Sequence, residues 1–545
     1  MKSHKLSAAV IGGCLGFLSY PAINWTPLVA VAYIPYFWLL NRCERFKEAV
    51  FYTWLFSAVM TLGGFFWIAY TAVEFGNLPW LAAIPILLLY ASVGSINLAV
   101  AGAAVVLLRK RISMRWQVLW VTGTFIVIEA FFPKLFFWYA GNAIYQITPL
   151  IQIADLGGAI LLTTQIFWVN YALFAIVDQF ILPRFRKLAP IFTRQEAFVT
   201  IGLGAGILSF SLIYGHFRLQ QVERQQQAAV QKNVGVVQGN IGNFDRLLAQ
   251  FGHRETFQKV VETHRDLTLN LHRNQTEKLD FVVWPEGAYP YPFPEPWPEH
   301  QMLAELTQET GAALITGGNT RQREPRQYFN AMVLVEPGQA TASAIYKKHI
   351  LLAFGEYMPL SNLFPALKNL IPAISDFGAG PGPEIMSYRE LKAAAVICYE
   401  ALDPHYVRAY AQQGANLIVN VTNDSWFGRW QEPEQHLALS QLRCVESRKA
   451  QVRSTNTGVS AVIWPTGEIT HRTRLHEPAY FAARVPLMEM PPTFYTRFGD
   501  WWAYLMLAVV LVFVVIGGRQ FARMLPHTRS GPAVKSETQT VRSKS

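Results

Sequence analysis

The sequence predicts a polytopic α-helical membrane domain of about eight spans joined to a soluble α/β domain. Hydrophobic residues make up 52% of the 545 residues and charged residues only 15%, against roughly 25% charged in average globular proteins. Long apolar runs dominate residues 1–215, whereas short β-rich runs alternate with helix-like stretches in residues 216–500. The 14% of aromatic residues excludes a chain that is disordered over most of its length.

The apolar runs define the predicted spans, because a membrane-crossing helix needs about 20 mostly apolar residues. Seven runs precede the soluble segment and one follows it, at residues 6–20, 27–40, 50–70, 81–108, 116–132, 156–182, 197–214 and 501–518. The sequence therefore predicts a seven-helix membrane domain (1–215), a soluble domain (216–500), a final membrane helix (501–518) and a basic tail (519–545) expected to be disordered.

The distribution of Lys and Arg predicts the orientation. Basic residues cluster before the first span and after the second, fourth, sixth and eighth spans, whereas residues 20–26 and 71–80 carry none. Positively charged loops stay on the cytoplasmic side. Both termini are therefore expected in the cytoplasm, with residues 216–500 on the opposite side. This pattern accounts for much of the net charge of +11 without a nucleic-acid partner. A cleaved signal peptide at the first span is the alternative, and its loss would invert every later loop.

The soluble segment alternates strands with helices. Apolar β-rich runs occur at residues 233–238, 279–284, 312–316, 331–335, 393–398, 416–420 and 459–464. Helix-like stretches lie between several of them, as at 254–273 and 434–449. This alternation is typical of an α/β domain.

Three polar residues follow apolar strands in this segment: Glu286, Lys348 and Cys398. Ligands of α/β sheets bind at the carboxyl ends of strands. A carboxylate, an ammonium group and a thiol at such an edge could act as base, oxyanion stabiliser and nucleophile. Taken singly, a cysteine at this position is more often a small core residue, and a glutamate is more often a surface or capping residue.

The segments around these three residues carry a family resemblance. Trp284-Pro285-Glu286, Tyr346-Lys347-Lys348-His349 and Ile397-Cys398-Tyr399-Glu400 resemble the signature segments of the nitrilase superfamily, in the same order and with similar spacings. Residues 354–360, 423–428, 435–436, 453–458 and 496–501 resemble the apolipoprotein N-acyltransferase branch of that superfamily, and the resemblance covers nearly the whole chain.

The resemblance implies a nitrilase-like α-β-β-α sandwich for the soluble domain, and it implies a role for each motif residue. Cys398 would be the acylated nucleophile, Glu286 the general base and Lys348 the group that stabilises the tetrahedral intermediate. Two supporting carboxylates that hold Lys348 and the base, and one residue that lines the site, are also implied: Glu356, Glu400 and Tyr399. No metal or organic cofactor is expected.

The implied function is transfer of an acyl chain from a phospholipid, expected to be phosphatidylethanolamine, to the amino group of a diacylglyceryl-cysteine lipoprotein. The implied location is the inner membrane, with the catalytic domain on the periplasmic side. A membrane-tethered nitrilase-type amidase is the alternative enzyme. A non-catalytic membrane protein that only binds a ligand is the alternative of another class.

Several features leave two interpretations open. Tyr289, Tyr291, Phe293 and Trp297 are predicted to lie in a loop that either dips into the membrane interface or packs on the domain, and so is the apolar segment 360–374. The family's Trp after the first soluble strand is absent, and Phe244 follows instead.

Two further pairs are ambiguous in the same way. Glu129 lies inside the fifth predicted span, where an acid suggests a function, but Lys134 could form a structural ion pair with it. Cys444 could form a disulfide with Cys398, although a buried free thiol is the simpler prediction.

Overall fold

The computed structural model describes residues 2–74, 76–185, 189–242, 254–295, 297–324, 326–359, 361, 363–366 and 376–524. Its first part is helical, and helices occur at each predicted apolar run. They are α1 (Lys2–Leu18), α2 (Val29–Ala32), α3 (Ile34–Arg42), α4 (Phe46–Gly64), α5 (Trp67–Glu74), α6 (Trp80–Gly94), α7 (Ile96–Arg109), α8 (Met114–Phe131), α9 (Thr148–Ile151), α10 (Ala154–Ile176), α11 (Leu182–Phe185) and α12 (Arg194–Ala228).

Within the described residues, three continuous helical segments are long and apolar enough to cross a membrane: Trp80–Arg109, Ala154–Arg184 and Arg194–Ala228. The pair α4 and α5, bent by 52°, makes a fourth if it counts as one span. The predicted count of eight exceeds this number because the other segments are short or broken or, as in the 18-residue α8, less apolar. The second predicted span, for example, is divided between α2 and α3 at Tyr33.

The last helix of the first part is longer than its apolar run. α12 begins at a capping box formed by Thr193 and Glu196. It passes the predicted end at residue 214 and continues to Ala228, a length of about 52 Å, and the first strand starts two residues later. The polar second half of α12 therefore connects the helical part directly to the soluble domain.

The soluble domain contains two sheets. Its strands are β1 (Val230–Gln238), β2 (Phe281–Val283), β3 (Tyr289–Phe293), β4 (Ala313–Gln322), β5 (Gln327–Val335), β6 (Ala342–Lys347), β7 (Ile385–Tyr388), β8 (Leu391–Ile397), β9 (Leu417–Thr422), β10 (Ala450–Thr455), β11 (Ala461–Ile463), β12 (Ile469–Arg472) and β13 (Ala479–Leu487). The first sheet has the order β13-β1-β2-β4-β5-β6, with β3 paired to β4. The second has the order β12-β11-β10-β9-β8-β7.

The remaining helices are α13 (Arg254–Asn274), α14 (Glu299–Thr310), α15 (Pro404–Gln412), α16 (Gln431–Ser447), α17 (Phe494–Phe498) and α18 (Trp501–Met524). Successive side chains of a strand point to opposite faces of the sheet, so strand residues alternate between two cores. Val236 faces the core between the sheets, whereas Val237 faces the core beneath α13 and α14. Because α15 and α16 cover the second sheet, the domain is an α-β-β-α sandwich.

α16 also joins the two parts of the protein, and all of its residues except Glu434 are buried. The carboxylate of Asp155 in α10 accepts hydrogen bonds from Arg448 at 2.8 Å and from Arg218 at 2.7 Å. Gln435 accepts from Trp67 at 3.1 Å and donates to the carbonyl of Gly64 at 2.7 Å. Buried polar contacts therefore fix the sandwich on the helices.

The prediction of a loop around Tyr289 is wrong. Residues 289–293 form β3, and Tyr289, Tyr291 and Phe293 are buried, so these rings do not reach a membrane interface. Trp297 remains 39% exposed. Cys398 and Cys444 are free, which contradicts the disulfide alternative. Phe244, most of the segment 360–374 and the tail from residue 525 lie outside the described residues.

Candidate active site

Three strand ends bring the predicted trio to one place. Glu286 follows β2, Lys348 directly follows β6 and Cys398 directly follows β8. Gly317 on β4 permits the position of Glu286, since a Cβ at this glycine would lie 2.4 Å from the Cα of Glu286. All three side chains line the same cavity, together with Glu356.

Lys348 is buried between two carboxylates. Its Nζ lies 2.6 Å from Oε2 of Glu356 and 3.9 Å from Oε1 of Glu286. Burial opposes the charged form of Lys348, but Glu356 and Glu286 outweigh it and raise the pKa of the ammonium group. Lys348 is therefore a fixed cation at the site, as an oxyanion stabiliser must be.

Asn330 on β5 is a site residue that the sequence reasoning missed. Its Nδ2 donates to Oε1 of Glu286 at 2.7 Å and to Oε1 of Glu356 at 2.8 Å. Its backbone carbonyl oxygen accepts a hydrogen bond from the backbone N–H of Lys348 at 2.8 Å. Asn330 therefore fixes the carboxylates of Glu286 and Glu356 and the backbone of Lys348 relative to one another.

The backbone of Cys398 is left-handed, with φ of 51°. For a residue other than glycine this conformation costs about 1–3 kcal/mol and is typical of functional sites. Burial raises the pKa of the Cys398 thiol above its ordinary range, Glu286 acts in the same direction and Lys348 opposes them. These groups favour the thiol over the thiolate, so a thiolate at Cys398 would need a base to take the proton.

Glu400 ties the loop after Lys348 to the end of β8. Its Oε1 accepts from the hydroxyl of Tyr346 and the backbone N–H of His349, each at 2.7 Å, and its Oε2 accepts from the N–H of Ile397 at 2.8 Å. Glu400 therefore contacts the backbone next to Lys348, whereas Glu356 contacts the ammonium group of Lys348 directly.

Tyr399 supports the cavity wall from behind. Its hydroxyl donates to the carbonyl of Leu135, and its ring packs against Phe136 and Phe137. Leu135 and Phe136 themselves line the cavity. The tyrosine after the nucleophile therefore connects the catalytic domain to the segment that follows α8.

The cavity has a volume of about 2120 Å³, compared with roughly 300–1,000 Å³ for ordinary small-molecule sites. One end holds the trio, and much of the remaining lining consists of apolar side chains from the helices, such as Ile86, Leu89 and Phe125. One continuous space thus connects a nucleophilic cysteine with the interior of the helical part.

Glu129 and Lys134 both line this cavity, but they bind different partners. Oε1 of Glu129 accepts from the N–H of Ala140 at 2.7 Å. Nζ of Lys134 donates to the carbonyl of Trp138 at 3.1 Å and lies 3.9 Å from the ring centre of Tyr139. The sequence left open an ion pair between Glu129 and Lys134. Among the contacts of these two described side chains there is no such ion pair.

Asp424, Glu432 and His436 bring three potential metal-ligand atoms within 4.8 Å of one another. The guanidinium of Arg453 lies 2.9 Å from Asp424 and already supplies a positive charge there. We therefore treat this group as a buried charge network.

Two family models and a solved structure are similar to parts of this chain. The family model for the carbon-nitrogen hydrolases matches residues 233–490. The model for the apolipoprotein N-acyltransferase N-terminal domain matches residues 12–172. A solved amidase from Nesterenkonia sp. AN1, with an acetamide moiety on its active-site cysteine, is 16% identical, with a TM-score of 0.36, over 50% of this chain and 95% of that chain.

Two relatives matched over most of their length share a name. The apolipoprotein N-acyltransferase of Bdellovibrio bacteriovorus is 32% identical over 93% of this chain and 93% of that protein. The apolipoprotein N-acyltransferase of Geobacter metallireducens is 28% identical over 94% of this chain and 95% of that protein. With its helical part and its carbon-nitrogen hydrolase domain both matched, this chain belongs to the apolipoprotein N-acyltransferase family.

Proposed function

We propose that this chain is a phospholipid-dependent apolipoprotein N-acyltransferase that carries its acyl group on Cys398. The observation that carries the proposal is the single cavity that joins Cys398 to an apolar space within the helices. A soluble amide would need no such space, whereas a long acyl chain needs apolar walls next to the nucleophile.

In the first step, Sγ of Cys398 attacks the ester carbonyl carbon of the phospholipid while Glu286 takes the thiol proton. Lys348 stabilises the negative charge on the carbonyl oxygen. The carbon–oxygen ester bond then breaks, and Glu286 returns the proton to the leaving alkoxide. The products are a thioester on Cys398 and a lysophospholipid.

In the second step, the free amino group of a diacylglyceryl-cysteine at a lipoprotein N-terminus attacks the thioester carbon. Glu286 takes a proton from the amine, and the carbon–sulfur bond breaks as the amide forms. The leaving thiolate regains a proton. The thioester stores the acyl group while the first product leaves and the second substrate enters.

We also propose eight spans, with both termini in the cytoplasm and the catalytic domain on the periplasmic face of the inner membrane. The division into residues 1–215, 216–500, 501–518 and 519–545 belongs to this proposal. The distribution of Lys and Arg and the helices at each apolar run support it.

The test is the intact mass of the detergent-purified protein after incubation with phosphatidylethanolamine, for wild type and Cys398→Ala. The expected result is an adduct of one acyl chain on wild type alone, which hydroxylamine removes. Intact lipid with no adduct on either protein would refute the phospholipid donor. Turnover of a soluble amide without lipid would instead support an amidase.

A further inference from the structure

The ring of His436 in α16 lies directly behind the nucleophile. His436 is 2% exposed, and its Nε2 is 3.2 Å from the backbone carbonyl oxygen of Cys398. A carbonyl oxygen only accepts hydrogen bonds, so Nε2 must carry a hydrogen and donate it. This contact reaches the residue whose backbone is held in the left-handed region.

The other ring nitrogen faces carboxylate oxygens. Nδ1 of His436 lies 3.0 Å from Oδ1 of Asp424 and 3.5 Å from Oε1 of Glu432. With the first hydrogen on Nε2, a neutral imidazole would present the lone pair of Nδ1 to these oxygens. A second proton, either on Nδ1 or on one of the carboxylates, replaces that repulsion with a hydrogen bond.

The charge balance of the network also requires this proton. Arg453 lies 2.9 Å from Asp424, and both side chains are fully buried. One guanidinium balances one carboxylate, which leaves Glu432 as an uncompensated buried charge unless a proton is bound. Burial and the neighbouring Asp424 raise the pKa of the Glu432 carboxyl well above its ordinary range. Burial and Arg453 lower the pKa of His436.

We infer that His436 is a positioning residue for the nucleophile. It donates its Nε2 hydrogen to the carbonyl of Cys398, and Asp424 and Glu432, which share one proton with it, hold its ring in place. The contact maintains the left-handed backbone of Cys398, whose side chain lines the cavity together with Glu286. The inference rests on the proposed function, because the step it serves is acylation of Cys398.

Three substitutions separate donation from packing. His436→Phe keeps a ring without a donor, His436→Gln places an N–H near the position of Nε2, and His436→Asn places one near Nδ1. Glu434→Gln on the same helix is the matched control, since Glu434 pairs with Arg472 at the surface. Thermal melting and gel filtration in detergent establish that each full-length variant is folded.

The first measurement is acylation of Cys398 by phosphatidylethanolamine vesicles, followed by intact mass. We expect His436→Phe and His436→Asn to lower the rate constant at saturating lipid about 100-fold, as misplacement of a reacting group does. The half-saturating lipid concentration should stay within about twofold, because substrate binding is not affected. His436→Gln should recover most of the lost rate. Wild-type rates in folded His436→Phe, or equal losses in His436→Gln and His436→Asn, would overturn the inference.

The second measurement does not depend on the proposed function. The rate of Cys398 alkylation by iodoacetamide is followed by peptide mapping, which separates Cys398 from the other three cysteines. We expect slower alkylation in His436→Phe than in wild type and His436→Gln, and equal rates would overturn the inference. A wild-type chain that forms no acyl adduct would refute the lipid donor, while the alkylation rates would still decide the role of His436.

Discussion

The ammonium group of Lys348 is bonded to Glu356, at 2.6 Å, more closely than to Glu286, whose nearest oxygen is 3.9 Å away. The two carboxylates therefore have different tasks. Glu356 holds the cation, whereas Glu286 is the carboxylate proposed to take the proton of the Cys398 thiol.

We predict that Glu356→Gln lowers the rate of Cys398 acylation by about 10²–10³-fold, the usual loss when a group that stabilises an oxyanion is disturbed. Without the charge of Glu356, Lys348 should move towards Glu286 and compete for the base. Breaking a buried ion pair also costs about 3–5 kcal/mol of stability. Intact mass against time measures the first effect and the melting temperature measures the second.

The exposed Glu384→Gln is the control for the loss of one carboxylate and should behave as wild type. A folded Glu356→Gln protein that acylates Cys398 at the wild-type rate would show that Lys348 needs only Glu286.

Asn330→Asp replaces the shared amide donor with a third carboxylate of the same shape. The new charge would lie beside both Glu286 and Glu356, which now accept from Nδ2 at 2.7 and 2.8 Å. We expect a raised pKa for the proposed base, because a neighbouring like charge disfavours ionisation. The acid limb of the acylation rate against pH should therefore move to higher pH. An unchanged limb, with acylation intact, would contradict the assigned role of Asn330.

Local sequence pattern and the family resemblance predicted the trio and its supporting carboxylates, but not Asn330. Glu286, Lys348 and Cys398 each follow an apolar strand, and strand ends can be recognised within a few residues. Asn330 lies inside a strand, and its role depends on the pairing of Ala331 with Lys347 across the sheet. No pattern along the chain encodes that contact.

The error at β3 has a similar cause. Pro290 and Pro292 argue against a strand because proline lacks a backbone donor. Among the described strands, β3 nevertheless pairs with β4 alone, through Tyr289 opposite Gly318 and Phe293 opposite Thr320, so the prolines take no ladder bond away. The cavity could not be predicted either, because its walls come from helices far apart in sequence.

His405 should make stability depend on pH. Its ring contacts Asp403 at 3.4 Å and Asp500 at 2.5 Å, and hydrogen bonds to these carboxylates raise the pKa of His405 to about 10. The folded pKa lies above the unfolded value of about 6.5. The stabilisation is therefore complete below pH 6.5 and is lost as pH rises to about 10.

The melting temperature measured across this window should fall less steeply in His405→Asn than in wild type. The ring is half exposed, so solvent screening keeps the difference small. If the melting temperatures of the two proteins fall in parallel as pH rises, the contact of His405 between α15 and the start of α18 does not make stability depend on pH.

The cavity can be narrowed without disturbing the packing. Gly94 at the end of α6 lines the cavity, and a Cβ built there has no atom within 4 Å. Gly94→Leu should therefore place its side chain in the space proposed for the acyl chain. We expect a higher half-saturating concentration for long-chain phosphatidylethanolamine, with a smaller effect for short-chain lipid.

Gly202→Leu on α12 is the matched control, because a Cβ there also meets open space and Gly202 does not line the cavity. Both substitutions remove a helix glycine, which favours the helix by about 1 kcal/mol, so a difference in lipid use between them cannot come from helix propensity. If the two variants use long and short donors alike, the acyl chain lies elsewhere. If only Gly94→Leu discriminates against long chains, the apolar walls of this cavity hold the donor while Cys398 attacks it.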